Sequence, residues 1–221
     1  MRSIGYCALV RLALFENTCR AQPQLVDSLL SANEKAVWTK CVTSKRQVEF
    51  LGGRFAGKLA ALMGRLAAGF ELLNWRDVEI LPTSNSPPVC RHADQLCHPV
   101  SISHTKHLAL AVASLSACQI GVDIEENGWR NYRLMDMFSR VELSQIHDPE
   151  TARLRWTLKE MYGKLTGTGV LGHIHDLHTL SHENSLWLGV SATSLPVRPV
   201  MLSTGHWRTL AVSIGVSSRY L

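Results

Sequence analysis

The sequence predicts an α+β fold made of two similar halves, each a long helix packed on a small antiparallel sheet. Two segments, residues 45–67 and 149–166, place apolar side chains at three- and four-residue spacing, which is typical of amphipathic helices. Short alternating segments flank each helix, which is typical of strands. A weak internal repeat supports two halves, because residues 50–58 and 156–164 have an aromatic residue, a glycine and a lysine in register.

The repeat divides the chain into an N-terminal half, residues 1–103, and a C-terminal half, residues 104–221. We expect the halves to be related by a pseudo-twofold axis. An active site would then lie in the crevice between them, since ligand sites are usually concave.

Composition limits the classes of function. The 221 residues carry a net charge of +5 and a pI near 9.0, which suits an acidic partner or a phosphate-rich cofactor. No basic run is long enough to be a nucleic-acid-binding tail. The six cysteines contain no C-x-x-C pair, which favours reduced thiols and a cytoplasmic location. No apolar run approaches the roughly 20 residues needed to cross a bilayer.

In the N-terminal half we expect a strand over residues 4–15 and then capped helices. Residues 31–34 have the capping-box pattern S-x-x-E, and residues 44–47 have the pattern S-x-x-Q at the start of the helix over 45–67. The basic residues of that helix could equally form a solvated face, which is our interpretation of Arg65.

The middle of the chain begins with a proline-rich segment over residues 82–99, which predicts an irregular loop. Three short strands are predicted after it, at residues 100–104, 108–113 and 118–125. We expect a hairpin to join the second of these strands to the third.

In the C-terminal half, residues 131–147 predict a helical stretch that is broken near Ser139. Asp148 and Pro149 form a strong helix start, and the helix is expected to end at Gly167. The apolar spacing of this helix predicts a buried stripe and an opposite face. The buried stripe comprises Leu154, Leu158, Met161, Tyr162 and Leu165, and the opposite face comprises Trp156, Glu160, Gly163 and Lys164. Residues 185–193 and 207–216 predict further strands.

The most informative motif is the acidic strand that ends at Glu125. Alternate side chains of a strand face opposite sides, so Val122 and Ile124 would enter a core while Asp123 and Glu125 share the other face. Two neighbouring carboxylates repel each other unless a cation or a proton lies between them. Mg²⁺ prefers one or two carboxylates together with phosphate oxygens, and would meet this need. The alternative is an edge strand with solvated acids.

Two further clusters could complete such a site. Glu160 precedes Lys164 by one helical turn, so the pair could join the site or could be an ordinary surface ion pair. Ser103 and His104 form a polar pair at the end of a strand, where a structural histidine is the alternative. Together these groups would supply carboxylates for a metal ion and donors for phosphates, as a displacement at phosphorus requires.

These motifs resemble, in order and spacing, the signature of 4′-phosphopantetheinyl transferases. The signature lies at residues 100–104, 108–114, 120–125 and 156–164. Residues 45–54 resemble the N-terminal motif of the larger, monomeric surfactin-synthetase-activating type, especially its siderophore (enterobactin-type) branch. The resemblance spans about residues 33–169.

The resemblance implies transfer of the phosphopantetheine arm of coenzyme A to a serine of an acidic apo carrier protein, with release of 3′,5′-ADP. Mg²⁺, or Mn²⁺ in its place, would be held by Asp123, Glu125 and Glu160. Glu160 would help to deprotonate the serine, and Lys164 would neutralise or protonate the departing phosphate. The coenzyme A phosphates would be bound by Arg46, Arg54, Ser103, His104, Lys159 and Lys164.

Several alternatives remain open at the level of sequence. Glu142 corresponds to an acid near the family's site and could be structural or functional. The His-rich segment over residues 173–182 could be a solvated loop or a transition-metal site. The whole protein could be a carrier-binding module without chemistry, or another Mg²⁺-dependent nucleotide transferase or hydrolase. A nucleic-acid-binding domain is disfavoured, because no aromatic–basic stacking surface stands out.

Overall fold

The protein divides into two compact units, residues 1–120 and 121–221. The computed structural model describes residues 5–81, 88–92, 97–114, 118–126, 132–169, 177–182, 185–190, 200–207 and 210–217. Each unit packs a long helix on an antiparallel sheet, so the predicted α+β class is confirmed. Among these residues, no helix is long and apolar enough to cross a membrane.

The first unit is built around one long helix. Its elements are β1 (Gly5–Arg11), α1 (Leu12–Ala21), α2 (Gln24–Leu29), α3 (Ala32–Trp38), α4 (Ser44–Ala67), β2 (Val78–Leu81), β3 (Val89–His92), β4 (Cys97–His104) and β5 (Leu108–Ser114). The strands form a sheet in the order β1-β5-β4-β3-β2, with antiparallel pairing throughout. Helix α4 packs on β1, β4 and β5, and small residues such as Ala56 and Ala60 are fully buried there.

Local signals placed most of these elements, with two corrections at their ends. Ser31 and Glu34 form the predicted capping box of α3. Helix α4 is capped by Thr43 instead of Ser44, because the Thr43 hydroxyl accepts from the Arg46 amide. The predicted first strand ends at Arg11, and Leu12 begins a helix with its side chain buried.

Strand pairing differs more from the prediction. The expected loop over residues 82–99 contains β3 and the start of β4, which pair with each other. The expected hairpin between residues 108–114 and 118–125 is wrong, because β1 and β4 already occupy the two edges of β5. This pairing keeps β5 in the first unit, so the unit boundary lies at residue 120 and not at residue 103.

The second unit carries the acidic strand and the second long helix. Its elements are β6 (Gln119–Glu126), α5 (Arg140–Leu143), α6 (Pro149–Thr166), β7 (Leu177–His182), β8 (Ser185–Val190), β9 (Val200–Trp207) and β10 (Leu210–Ser217). One sheet has the order β6-β10-β9, and β7 pairs with β8. A 3-10 segment over Tyr132–Met137 precedes α5, which Ser139 caps, as the predicted break implies.

Both predicted ends of α6 are confirmed. The Asp148 carboxylate accepts from the Thr151 amide at 2.8 Å, and Gly167 ends the helix with a φ of 76°, where glycine is favoured. The buried part of α6 is wider than the predicted stripe, because Trp156 of the opposite face is 6% exposed and Lys159 is 0% exposed. Glu160 and Lys164 of that face are partly exposed.

Candidate active site

Strand β6 and helix α6 bring the predicted acidic and basic residues together. Val122 and Ile124 are buried at 0% and 2% exposure, and alternation places Asp123 and Glu125 on the other face. Lys164 of α6 donates from Nζ to Asp123 Oδ1 at 2.6 Å. Strand β6 does lie at an edge of the described sheet β6-β10-β9, but Asp123 is 3% exposed and is therefore not a solvated acid.

A glycine allows this close approach of strand and helix. A Cβ atom at Gly121 would collide with the backbone carbonyl oxygen of Met161 and would press on Leu165. Both of those residues belong to α6, so any larger residue at 121 would push β6 away from the helix. The distance between Asp123 and Lys164 thus depends on Gly121.

Burial and mutual repulsion both disfavour ionisation in the acidic cluster, which we define as Asp123, Glu125 and Glu160, and burial has the larger effect. Burial, together with the charges of Asp123 and Glu160, raises the pKa of Glu125 to about 7. Burial and the charge of Asp123 also raise the pKa of Glu160. Lys164 opposes both shifts. The carboxylates are thus close enough to disfavour one another's ionisation.

We expect Glu125→Gln to stabilise the metal-free protein at pH 8 and to leave its stability nearly unchanged at pH 5. Between the ordinary glutamate pKa and about 7, the folded wild type binds more protons at Glu125 than the unfolded chain does, so wild-type stability falls as pH rises. After discounting for partial solvent screening, the gain at pH 8 is about 1–2 kcal/mol. Urea unfolding of both proteins in a chelator at pH 5 and pH 8 measures the difference in free energy of unfolding. An equal difference at the two pH values would contradict the prediction.

The acidic cluster fits a hard divalent cation by the chemistry of its donors. It supplies carboxylate oxygens, and a cation among them would remove the repulsion that raises two of the pKa values. Within the described part of the chain, no group of His, Cys, Asp and Glu is already arranged as a preformed metal site. The ammonium of Lys164 instead lies on Asp123.

Lys159 is part of a buried ion pair, so its predicted position at the coenzyme A phosphates is corrected. Its side chain is 0% exposed, and its Nζ donates to Glu142 Oε2 at 2.9 Å and to the Met137 carbonyl at 3.0 Å. Lys159 and Lys164 differ in their partners, because the first pairs with Glu142 and the second pairs with Asp123.

The contacts of Glu142 favour the structural one of the two interpretations of it. Its second oxygen accepts from the Thr179 amide at 2.8 Å and the Thr179 hydroxyl at 2.6 Å. Burial opposes ionisation of Glu142, but these hydrogen bonds and those from Ser139 and Lys159 outweigh it and hold the pKa below its usual range. The carboxylate ties α5 and α6 to β7.

A second candidate site lies in the first unit. A pocket of about 260 Å³ is lined by Cys41, Arg46, Glu49, Phe50, Gly53, Arg54, Ile102 and His104. Three of the predicted phosphate-binding residues, Arg46, Arg54 and His104, therefore share one pocket. We call it the basic pocket.

Sequence reasoning missed Glu49, whose carboxylate contacts both Arg46 and His104 in the basic pocket. Glu49 Oε2 lies 3.0 Å from Arg46 Nη1 and 3.1 Å from His104 Nε2. Burial opposes ionisation of Glu49, but the hydrogen bond from Arg46 and the interaction with His104 outweigh it and lower its pKa. The three-residue spacing from Arg46 on one helix face was the available signal.

Ser103 does not line the basic pocket, although it is adjacent to His104. Ser103 is 3% exposed, whereas the His104 side chain is 35% exposed. Successive residues of β4 face opposite sides of the sheet, so Ile102 and His104 face the pocket and Ser103 faces away. Its predicted contact with coenzyme A stays a prediction.

Arg54 lies next to a buried ion pair. It lies over the Phe50 ring, 4.2 Å from the ring centroid, and its Nε is 3.6 Å from Glu34 Oε1. Glu34 and Lys58 are both 0% exposed and pair at 2.6 Å. Lys58 also donates to the carbonyls of Leu29 and Trp75, so this basic residue of α4 is structural.

The His-rich segment over residues 173–182 lies partly outside the described residues, since residues 170–176 are not among them. Neither the solvated-loop interpretation nor the transition-metal interpretation is tested there.

The second unit matches a known family. The family model described as the 4′-phosphopantetheinyl transferase superfamily matches residues 119–208, which include the acidic cluster and Lys164. The chain is 32% identical over 104 residues to a holo-[acyl-carrier-protein] synthase of Staphylococcus saprophyticus, covering 47% of this chain and 88% of the relative. A second such synthase, from Exiguobacterium sibiricum, is 30% identical, covering 54% of this chain and 94% of the relative.

Part of the chain is also similar to a solved structure. The crystal structure of a holo-(acyl-carrier-protein) synthase from Bacillus anthracis in complex with CoA (3′,5′-ADP) aligns with a TM-score of 0.41 and 26% identity, over 51% of this chain and 97% of that one. The sequence identity to synthases that are covered almost completely, together with the family match over residues 119–208, shows that this chain belongs to the 4′-phosphopantetheinyl transferase superfamily.

Proposed function

We propose that this protein transfers the 4′-phosphopantetheine arm of coenzyme A to a serine of an apo acyl or peptidyl carrier protein. The observation that carries the proposal is the acidic cluster on β6 and α6, in which Lys164 donates a hydrogen bond to Asp123. The relatives from S. saprophyticus and E. sibiricum bear the name of this activity. The net charge of +5 favours encounter with an acidic carrier protein.

In the proposed mechanism, Asp123, Glu125 and Glu160 would hold Mg²⁺, for which Mn²⁺ could substitute. The bound ion would stabilise the charge that develops on the diphosphate. Glu160 accepts the proton of the carrier serine, whose hydroxyl is a weak nucleophile without a base. Its pKa, raised by burial and by the charge of Asp123, favours that role.

The bond changes follow from these positions. The serine oxygen forms a bond to the phosphorus that carries the pantetheine arm, and the bond from that phosphorus to the oxygen of 3′,5′-ADP breaks. The ammonium of Lys164 neutralises or protonates the departing phosphate. Arg46, Arg54 and His104 would bind a phosphate of coenzyme A, because they share the basic pocket. Lys159 is left out of these contacts.

We also propose the larger, surfactin-synthetase-activating type, nearest the siderophore branch. The matched relatives align over about half of this chain but over 88% and 94% of their own length. The first unit, with α4 and the basic pocket, is an α+β unit in addition to the one that carries the family match. The predicted monomer and the cytoplasmic location stay predictions, and light scattering during gel filtration would test the first.

Intact-mass spectrometry tests the proposed transfer. With coenzyme A and MgCl₂, we expect a phosphopantetheine adduct on at least one apo carrier from a panel of acyl, peptidyl and aryl carriers, and loss of the adduct in a chelator. A Ser→Ala carrier is the matched control. Binding of carriers without any adduct would favour a silent carrier-binding module, and neither binding nor adduct would leave another nucleotide transferase or hydrolase as the better interpretation.

A further inference from the structure

Lys164 occupies a position that a bound cation would need. Its Nζ lies 2.6 Å from Asp123 Oδ1, and the two side chains are 29% and 5% exposed. A divalent ion on the same carboxylate oxygen would lie close to this ammonium, and two positive charges at that distance repel each other. Binding of a divalent ion at Asp123 Oδ1 therefore weakens the hydrogen bond from Lys164.

The charge of Lys164 acts on all three residues of the acidic cluster. Besides donating a hydrogen bond to Asp123, Lys164 attracts the carboxylates of Glu125 and Glu160. Arg153, at 3% exposure, adds a second positive charge that acts on Glu125. In the absence of metal these cations offset the mutual repulsion of the carboxylates, so removing one of them leaves excess negative charge in a partly buried site.

We propose that Lys164 is an internal counter-ion that competes with the divalent ion for the acidic cluster, and that metal binding releases its ammonium toward the substrate. The inference rests on the proposed function, because it takes the acidic cluster as the metal site. A divalent ion has twice the charge of an ammonium and binds several oxygens at once, so it displaces Lys164 at the cost of the Lys164–Asp123 ion pair.

This competition gives the site an order of events. Before metal binds, Lys164 is held on Asp123 and is not available to a phosphate. After metal binds, the same ammonium can instead pair with a phosphate near the ion. Binding of the metal to the acidic cluster therefore also makes the Lys164 ammonium available to a phosphate. One exchange links the metal site to the phosphate-binding lysine.

The first test measures metal affinity without coenzyme A or carrier. Isothermal titration of MnCl₂ and MgCl₂ into the chelator-treated protein is expected to give a Kd about 10-fold lower or more for Lys164→Met than for wild type, since the competitor is gone. Lys40→Met removes one positive charge at an exposed position of the first unit and is the matched control. We expect its Kd to stay within about 2-fold of wild type.

The second test follows the wild-type lysine itself. Reductive methylation followed by peptide mass spectrometry is expected to label Lys164 slowly without metal and faster with MgCl₂, while labelling of Lys40 stays constant. In Asp123→Asn, labelling of Lys164 is expected to be fast with or without metal. If neither MgCl₂ nor Asp123→Asn changes the labelling rate of Lys164, the proposed exchange is wrong.

The outcomes separate this inference from the proposed function. Equal metal affinity in wild type and Lys164→Met, with both binding, overturns the competition and leaves the metal site standing. Binding by Lys164→Met alone supports the competition in its strongest form. If neither binds a divalent ion, both the competition and the proposed metal site are wrong, whatever the transfer assay shows.

Discussion

Glu160→Gln is expected to lower kcat/KM for phosphopantetheine transfer by at least about 100-fold, the usual contribution of a positioned general base. Glutamine keeps the size of the side chain but cannot accept the serine proton and binds a divalent ion more weakly. Initial rates from the intact-mass assay measure the change.

The same variant should not lose stability, which separates a chemical role from a structural one. Burial and the charge of Asp123 disfavour the ionised form of Glu160, so a neutral side chain relieves repulsion. We expect the melting temperature of the metal-free variant to equal or exceed that of wild type. Glu150→Gln, an exposed acid in the first turn of the same helix, is the matched control and should retain full turnover. Normal turnover of Glu160→Gln would remove Glu160 from the mechanism.

Lys159→Met is expected to lower the free energy of unfolding by about 3 kcal/mol, near the lower end of the range for broken buried ion pairs. The change leaves the Glu142 carboxylate at 0% exposure without its cation. The loss is not larger, because Ser139 and Thr179 still donate to that carboxylate. Urea unfolding followed by circular dichroism measures it.

A double variant identifies the cause. Lys159→Met combined with Glu142→Gln removes the stranded charge and should recover a large part of the lost stability, since neutral partners avoid the cost of a buried charge. Lys40→Met should unfold like wild type. If Lys159 contacts coenzyme A instead, Lys159→Met will fold normally and raise KM for coenzyme A, which is the opposite pattern.

Much of the fold could be predicted because its signals are local. The Ser31–Glu34 capping box, the Asp148 cap and the Gly167 stop each depend on residues within one turn, and each is present. The pairing of strands is not local. Residues 108–114 are adjacent in sequence to the acidic strand, but β5 pairs with β1 and β4, whose partners are set by packing on α4.

The sequence by itself determined the inventory of the acidic site: two carboxylates in alternation on one strand, and a glutamate and a lysine one turn apart on a helix. Alternation along β4 also places Ser103 and His104 on opposite faces, and that alternation can be read from the sequence. Only the tertiary structure shows which carboxylate each lysine pairs with. Lys159 and Lys164 have the same side chain, but Glu142 draws one into the interior while Asp123 holds the other at the acidic cluster. A lysine ammonium pairs with whichever carboxylate the fold brings within reach, and that distance is a property of packing between β6, α5 and α6.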